Sequence, residues 1–187
     1  IIEDASTQND EIGGRVISST PERILDAPEI EDDYYLNLMD WSSWGQLGIC
    51  LKNKVYLYTP LKIEQLYEEN ENNSISSISF HNKDKEVAIG TLDGKVKIFD
   101  LERNTLVRTF KGHHKRVSSL SYSSVLYSGS KDTMILAHDT RDKRDIIRRF
   151  SGHMGEVCGL KQSPSGLASG SNDNMAFVWD LNTGKIR

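Results

Sequence analysis

Apolar residues recur along this chain in short runs at a nearly fixed spacing, with glycine and aspartate between the runs. Three runs end in an aspartate that follows a Phe, His or Trp, at positions 99–100, 138–139 and 179–180, so the endings are 39 and 41 residues apart. Another aspartate lies seven residues before each ending, and a glycine lies three residues before that aspartate. A period of ~40–45 residues with this punctuation is typical of the four-stranded blades of a β-propeller.

Each repeat predicts four short strands. First strands begin at Ile75, Val117 and Val157 and carry apolar residues at i and i+3, with a third at i+5 in the first two. We expect second strands at 87–91, 126–130 and 167–171, third strands at 96–100, 135–139 and 176–180, and fourth strands at 106–110 and 146–150. The third strands are dense in apolar residues, which suits strands covered on both faces. The sequence therefore predicts blades near 75–110, 117–150 and 157–187.

A divergent first blade is predicted upstream, because Leu36, Met39 and Trp41 show the same spacing 39 residues before Ile75. We place this blade near 36–59 and interpret the polar, acidic segment 64–74 as a loop between blades. Residues 1–35 are predicted to form an extended N-terminal arm, since prolines in it prevent a long helix. The predicted fold is an all-β WD-repeat propeller of about four blades behind this arm.

The repeats also predict buried polar networks. In WD repeats, to which they are similar, a Gly-His histidine, a second-strand Ser or Thr, the turn Asp and the third-strand Trp form a hydrogen-bonded chain, which stabilises only when every member is satisfied. By this resemblance the last repeat has the full set, namely His153, Ser169, Asp173 and Trp179. The middle repeat has His113 and Asp132 but carries His138 in place of tryptophan. The first of the three has Phe99 and no Gly-His, so we expect these two blades to be less tightly pinned.

Composition adds three expectations. No apolar run is long enough to span a membrane and no signal peptide is recognisable, so we expect a soluble domain of the cytosol or nucleus. Cys50 and Cys158 lie in apolar segments that are predicted to be strands, and neither has neighbours at the spacing of metal ligands. This predicts buried free thiols and neither metal nor cofactor. Because the first residue is Ile1, we expect the true N-terminus to lie upstream.

Catalysis and nucleic-acid binding are two classes of function that compete with a binding module. The repeats account for His113, His153 and the turn aspartates, which leaves little for a nucleophile–base pair, so we predict no enzyme. Nucleic-acid binding is the second class, because the chain has two basic clusters: Lys111, His113, His114, Lys115 and Arg116, and then Arg141, Lys143, Arg144, Arg148 and Arg149. The net charge of −4 argues against it. We interpret the clusters as solvated loops, with a basic groove for acidic protein segments as the open alternative.

The arm carries the most specific resemblance in the chain. Its segments TPERILDAPEI at 20–30, DDYYLNL at 32–38 and DWS at 40–42, with RVIS at 15–18, closely resemble the propeller approach of the Fizzy (cell-division-cycle) family. Members of that family are WD-repeat activators of the anaphase-promoting complex. The resemblance implies a substrate-recognition subunit of this ubiquitin ligase that binds destruction-box (Arg-x-x-Leu) and Lys-Glu-Asn degrons. It also implies cyclins, securin and spindle-checkpoint proteins as partners, and a location in nucleus and cytoplasm.

Four residues match degron-binding positions of that family. Asp26 matches the acidic position that faces a destruction-box arginine, for which a carboxylate is a charge-assisted partner. Asn172 and Asn174 match two asparagines that hold the Lys-Glu-Asn peptide on the top face of the propeller, and an amide offers donor and acceptor atoms. Asp33 lies near the top face, in the segment that matches the family. Each residue has a structural alternative, since Asp and Asn also stabilise turns.

The family is built with seven blades, so we expect a fragment rather than a small open propeller. The family's ligase-docking C-box does not occur in 1–19. Ile186 and Arg187 match its Ile-Arg tail. The preceding Thr-Gly-Lys, however, is also typical of the segment that leads into a fourth strand, and we favour this second interpretation. RIL at 23–25 fits the mitotic branch better than the Fizzy-related branch. A generic WD-repeat scaffold without degron binding is the alternative function.

Overall fold

A computed structural model describes residues 18–141 and 144–187. Its strands form four antiparallel sheets in chain order, here called blades 1 to 4. The predicted all-β fold is confirmed. The first seventeen residues of the predicted arm, including most of the RVIS segment, lie outside the described residues. Within the described ranges no helix is long and apolar enough to cross a membrane.

Each blade is a simple meander in which consecutive strands pair. Blade 1 contains β1 (Met39–Trp41), β2 (Leu47–Leu51), β3 (Lys54–Thr59) and β4 (Lys62–Glu68). Blade 2 contains β5 (Ile75–Phe80), β6 (Glu86–Thr91), β7 (Val96–Asp100) and β8 (Thr105–Phe110). Blade 3 contains β9 (Val117–Tyr122), β10 (Leu126–Ser130), β11 (Ile135–His138) and β12 (Arg148–Phe150). Blade 4 contains β13 (Val157–Ser163), β14 (Gly166–Ser171) and β15 (Ala176–Trp179).

Blade 1 is longer than its sequence indicates. The segment 62–68 is the strand β4, paired with β3, so the prediction that the blade ends near 59 is wrong, as is the assignment of 64–68 to a loop. Most side chains of β4 are exposed because it is the outer edge of its sheet. An exposed edge strand needs no alternation of apolar residues. The polar sequence of β4 therefore does not indicate a strand.

The spacing of i, i+3 and i+5 in the first strands comes from a bulge. In β5 the pairing with β6 shifts between Ile75 and Ser77, and β13 shows the same shift between Val157 and Gly159. One extra residue in the strand reverses which face the next side chain takes. Apolar residues three apart, rather than two, therefore point into the same side of the blade.

The core lies between neighbouring blades, where the apolar faces of adjacent sheets meet. Serine hydroxyls also link neighbouring blades. Ser77 donates to the carbonyl oxygen of Val117 at 2.6 Å, and Ser119 donates to that of Val157 at 2.8 Å. Both bonds join a first strand to the start of the first strand of the next blade. We call them the interblade hooks.

The repeated glycine of the second strand makes room for the next blade. A Cβ added at Gly129 would lie 2.5 Å from Ser119 Oγ and 2.7 Å from Val157 Cγ1. Replacing Gly129 by alanine should therefore lower the free energy of unfolding by about 1–3 kcal/mol. Gly170, the equivalent residue of blade 4, is the matched control, because a Cβ there meets no atom within 4 Å.

Urea unfolding of both glycine variants measures this difference. Gly170→Ala should change the free energy of unfolding by no more than about 0.5 kcal/mol. Equal losses in the two variants would show that the valine of the next blade does not require glycine at this position.

The chain continues past β15 in the manner of a fourth strand. Ile186 forms an antiparallel bridge with Trp179, and the N–H of Arg187 donates to the carbonyl of Val178 at 2.8 Å. These contacts support the interpretation of Ile186 and Arg187 as part of a fourth strand rather than as a docking tail.

Candidate functional site

Blade 4 contains the hydrogen-bonded network expected from its repeat. His153 lies 2.9 Å from Asp173 through Nδ1 and 2.7 Å from the Ser169 hydroxyl through Nε2. The indole N–H of Trp179 donates to the same hydroxyl at 2.7 Å. The structure therefore brings the four predicted residues together, and three of them, His153, Ser169 and Trp179, are buried. Their arrangement holds the blade together.

Blade 3 has the same network with histidine in place of tryptophan. His113 lies 3.0 Å from Asp132 and 2.9 Å from the Ser128 hydroxyl. His138 lies 2.8 Å from that hydroxyl through Nε2 and 2.6 Å from the carbonyl oxygen of Asp145 through Nδ1. Because a carbonyl only accepts, His138 donates from Nδ1 and accepts at Nε2. The single Ser128 hydrogen is then donated to His138, which leaves the Ser128 oxygen to accept from Nε2 of His113.

Asp132 contributes a negative charge to this network. Burial raises the pKa of Asp132, but the contact with His113 and the backbone N–H groups of His114 and Met134 together outweigh burial and lower this pKa to about 2. Burial lowers the pKa of His138 to about 4. The network at neutral pH therefore contains an ionised Asp132 and a neutral His138. That blade 3 is less tightly pinned than blade 4 stays a prediction.

The arm meets blades 3 and 4 through Arg116. The guanidinium donates to both carboxylate oxygens of Glu156, at 2.6 and 2.9 Å, and to Asp33 at 2.6 Å. The Ser118 hydroxyl also donates to Glu156. The backbone N–H of Tyr35, 3.0 Å from Asp33, and then the Arg116 guanidinium hold the pKa of Asp33 below its usual value. One cation thus joins two carboxylates from different parts of the chain.

The two predicted asparagines lie on the turn between β14 and β15. The N–H of Asn172 donates to the carbonyl oxygen of Glu156 at 2.9 Å, and its side-chain Oδ1 accepts from the Tyr35 hydroxyl at 2.9 Å. Asn174 has φ 64°, a left-handed conformation that asparagine tolerates. Both side chains are exposed. We call the surface formed by Asp33, Tyr35, Arg116, Glu156 and the turn 171–174 the top-face site.

Asp26 lies on the arm beside blade 1. Arg23 donates to the Tyr58 hydroxyl at 2.6 Å, and Glu29 pairs with Lys52 at 3.2 Å. Asp26 is exposed between these two anchors. The structure thus brings Asp33, Asn172 and Asn174 to one surface and leaves Asp26 on another part of the arm.

The structure corrects the interpretation of the basic cluster 111–116 as a solvated loop for His113 and Arg116, whereas Lys111, His114 and Lys115 are exposed. Arg116 is only 16% exposed at its side chain and pairs with two carboxylates, and His113 is buried in its network. In the second cluster, Lys143 lies outside the described residues.

Sequence reasoning missed Tyr35, Arg116 and Glu156 at the top-face site. One signal could have found the ion pair. Arg116 and Glu156 each precede the valine that begins a first strand, so opposite charges occupy equivalent positions in adjacent repeats.

Comparison with protein-family models gives two matches. Residues 39–125 match the anaphase-promoting complex subunit 4 WD40 domain, and residues 144–180 match the WD domain, G-beta repeat. A chain in a solved structure, the crystal structure of the mitotic checkpoint complex, superposes with a TM-score of 0.89 at 35% identity. The superposition covers 100% of this chain and 59% of that chain. The WD-repeat propeller fold is confirmed.

Curated relatives narrow the comparison to one kind of propeller. The anaphase-promoting complex subunits cdh1 and cdc20 of Dictyostelium discoideum are 44% and 43% identical over 89% and 90% of this chain. Protein FIZZY-RELATED 2 of Arabidopsis thaliana is 43% identical over 89%. The chain is a homologue of these Fizzy-type proteins. This Fizzy-type homologue spans 23%, 35% and 35% of the lengths of cdh1, cdc20 and FIZZY-RELATED 2. Relatives of both branches match it at nearly equal identity.

Proposed function

We propose that this Fizzy-type homologue serves as a substrate-recognition and activator part of the anaphase-promoting complex. In this role it binds destruction-box and Lys-Glu-Asn degrons so that mitotic regulators are ubiquitinated, and it performs no catalysis itself. Its relatives named as subunits of that complex support the role. The observation that carries the proposal is the meeting of Asp33, Asn172 and Asn174 at the top-face site.

The top-face site suits a short polar peptide. Asn172 and Asn174 expose side-chain amides on a turn whose backbone is fixed by hydrogen bonds from the N–H of Asn172 to Glu156 and from that of Asn174 to Ser171. Exposed amides can donate to and accept from the backbone and side chains of an extended peptide. A rigid turn loses little conformational freedom on binding. These properties support binding of the Lys-Glu-Asn degron here.

The arm supports a second degron contact. Asp26 is exposed between the Arg23 anchor and the Glu29 anchor, so its carboxylate is presented to solvent by a segment held at both ends. A carboxylate so placed can pair with an arginine guanidinium in a charge-assisted contact. We therefore keep Asp26 as the proposed partner of the destruction-box arginine.

The proposal includes the mitotic branch, on the basis of RIL at 23–25, with cyclins, securin and spindle-checkpoint proteins as partners in nucleus and cytoplasm. The match to a chain of the mitotic checkpoint complex supports a checkpoint partner. Neither nucleic acid nor membrane is part of the proposed role.

Removing both amides should weaken binding of a labelled Lys-Glu-Asn peptide to the chain. In Asn172→Ala/Asn174→Gly, glycine keeps the left-handed backbone of residue 174. Each lost hydrogen bond is worth about 0.5–1.5 kcal/mol, so the pair should cost about 1–3 kcal/mol of binding free energy. Fluorescence anisotropy titration measures the two dissociation constants.

Asn104→Gly is the matched control, because Asn104 also has a left-handed backbone, φ 52°, but lies in the turn between β7 and β8 of blade 2. It should bind the peptide like the wild type. Absence of binding by the wild type, or equal affinities in the wild type and the double variant, would reject the site and favour a WD-repeat scaffold without degron binding.

A further inference from the structure

The top-face site is closed by a ring of contacts that runs through Arg116. From Asp33 the chain leads to Tyr35, whose hydroxyl donates to Asn172 Oδ1. The N–H of Asn172 donates to the carbonyl of Glu156, the carboxylate of Glu156 binds Arg116, and Arg116 binds Asp33. The ring joins the arm, the start of β9, the start of β13 and the turn after β14. No member of the ring can move without disturbing a neighbour.

Arginine suits this position because of its fork geometry. Nε and Nη2 face the two oxygens of Glu156, and Nη1 remains for Asp33. A lysine would offer one nitrogen to both carboxylates and could not hold them in fixed directions. The side chains of Arg116 and Glu156 are 16% and 5% exposed, so water screens this contact little.

The ring also determines which polar atoms of the site are available to a peptide. The oxygens of Asp33 are occupied by Arg116 and by the N–H of Tyr35. Asp33 therefore acts on the site through the ring. Tyr35 takes the Oδ1 of Asn172, which leaves the Nδ2 hydrogens of that exposed amide to donate to a ligand.

We propose that Arg116 is the positioning residue of the top-face site, and that through Asp33, Tyr35 and Glu156 it sets the orientation of the Asn172 amide. This inference rests on the proposed function, since peptide binding is where the orientation matters. Arg116 itself does not touch the peptide. Its effect on the side-chain amide of Asn172 therefore passes through Tyr35, since the carbonyl oxygen of Glu156 accepts from the backbone N–H of Asn172.

A double-mutant cycle on peptide affinity tests this coupling. Arg116→Met/Glu156→Gln removes the buried cation and its anion together, which avoids stranding Glu156. We expect this pair and Tyr35→Phe each to weaken Lys-Glu-Asn peptide binding about fivefold in the wild-type background, because each removes the hold of one hydrogen bond on the Asn172 amide. In the Arg116→Met/Glu156→Gln background Tyr35→Phe should have almost no effect. General loss of stability would not produce such non-additivity.

Two controls accompany the cycle. Arg116→Lys should bind the peptide as weakly as Arg116→Met/Glu156→Gln does, because lysine keeps the positive charge but lacks the forked guanidinium. Arg103→Met should bind like the wild type, since the Arg103 side chain is 81% exposed and pairs with Asp100 at the turn between β7 and β8 of blade 2. Independent, multiplicative effects of Arg116→Met/Glu156→Gln and Tyr35→Phe would overturn the inference.

A measurement without peptide separates this inference from the proposed function. The side-chain amide signals of Asn172 in a ¹⁵N-correlated NMR spectrum should shift in Arg116→Met/Glu156→Gln and stay unchanged in Arg103→Met. If the wild type binds no peptide but these signals shift, the proposed function fails and the positioning by Arg116 holds. If the wild type binds peptide and neither the signals nor the affinity respond to the Arg116 variant, the positioning role is wrong.

Discussion

Replacing Lys97 by methionine should lower the free energy of unfolding by about 3–5 kcal/mol. The ammonium of Lys97 binds the carboxylate of Glu69 and lies 2.6 Å from the Tyr67 hydroxyl. The side chains of Lys97 and Glu69 are only 11% and 6% exposed. Methionine fills a similar volume but leaves the negative charge of Glu69 buried without its cation. Urea unfolding followed by tryptophan fluorescence measures the loss.

Two further variants identify the cause of that loss. Adding Glu69→Gln to Lys97→Met removes both charges and should recover most of the stability. Lys54→Met is the control, because the Lys54–Glu68 pair is 3.7 Å apart with side chains 39% and 47% exposed. An exposed pair of this kind should cost less than about 1 kcal/mol. A comparably small effect for Lys97→Met would show that water reaches Glu69.

Acidification from pH 6.5 to pH 4 should remove about 3 kcal/mol of stability through His138 alone. Burial lowers the pKa of His138 to about 4, from 6.5 for an ordinary histidine, and the charges of His113 and Arg108 act in the same direction, whereas Asp145 opposes them. The unfolded chain therefore takes up its proton first as the pH falls below 6.5. The contribution is fully present above pH 6.5 and is lost as the pH approaches 4. Urea unfolding at a series of pH values measures it.

Variants at position 138 test this pH dependence. His138→Trp supplies the indole donor that Trp179 provides in blade 4, and His138→Gln offers an amide of smaller size in case the indole packs poorly. In both, the free energy of unfolding should fall by about 3 kcal/mol less between pH 6.5 and 4 than in the wild type. His114→Gln, at an exposed histidine, should leave the wild-type dependence intact. An unaltered dependence in both position-138 variants would contradict the assignment.

Blades 2 to 4 could be predicted because their repeats combine three independent signals. Glycine marks the place where the next blade approaches, aspartate marks the turn, and the third strands are apolar because neighbouring blades cover them. Gly129 shows why the glycine is so regular, since Val157 occupies the space of a side chain there. Strand bounds predicted from these signals differ from the structure by a residue or two at most in blade 2 and blade 4.

The strand β4 could not be predicted from the same signals. Its outer edge faces solvent, so Glu64, Gln65 and Glu68 are as acceptable there as apolar residues. Its inward contacts come from Leu66 and Tyr67, which pack against the core shared with blade 2. Three apolar positions among seven residues, one of them the exposed Ile63, do not distinguish an edge strand from a loop.

The top-face site was predictable only where it depends on local turn chemistry. Asn172 and Asn174 lie in a turn that the repeat itself marks. Arg116 is 83 residues from Asp33 and 40 from Glu156, and Tyr35 is 137 residues from Asn172. Contacts over such distances appear only when the blades are stacked, and the sequence signal for them is limited to the opposite charges at the equivalent positions of Arg116 and Glu156.

The interblade hooks bear on how the chain acquires its fold during synthesis. Ser77 and Val117 are 40 residues apart, and Ser119 and Val157 are 38 apart. The entropic cost of closing a loop depends on its length, so each of these closures costs about the same, however many blades precede it. A nascent chain can complete one blade as soon as the first strand of the next has left the ribosome. The order of translation can therefore also be the order of folding.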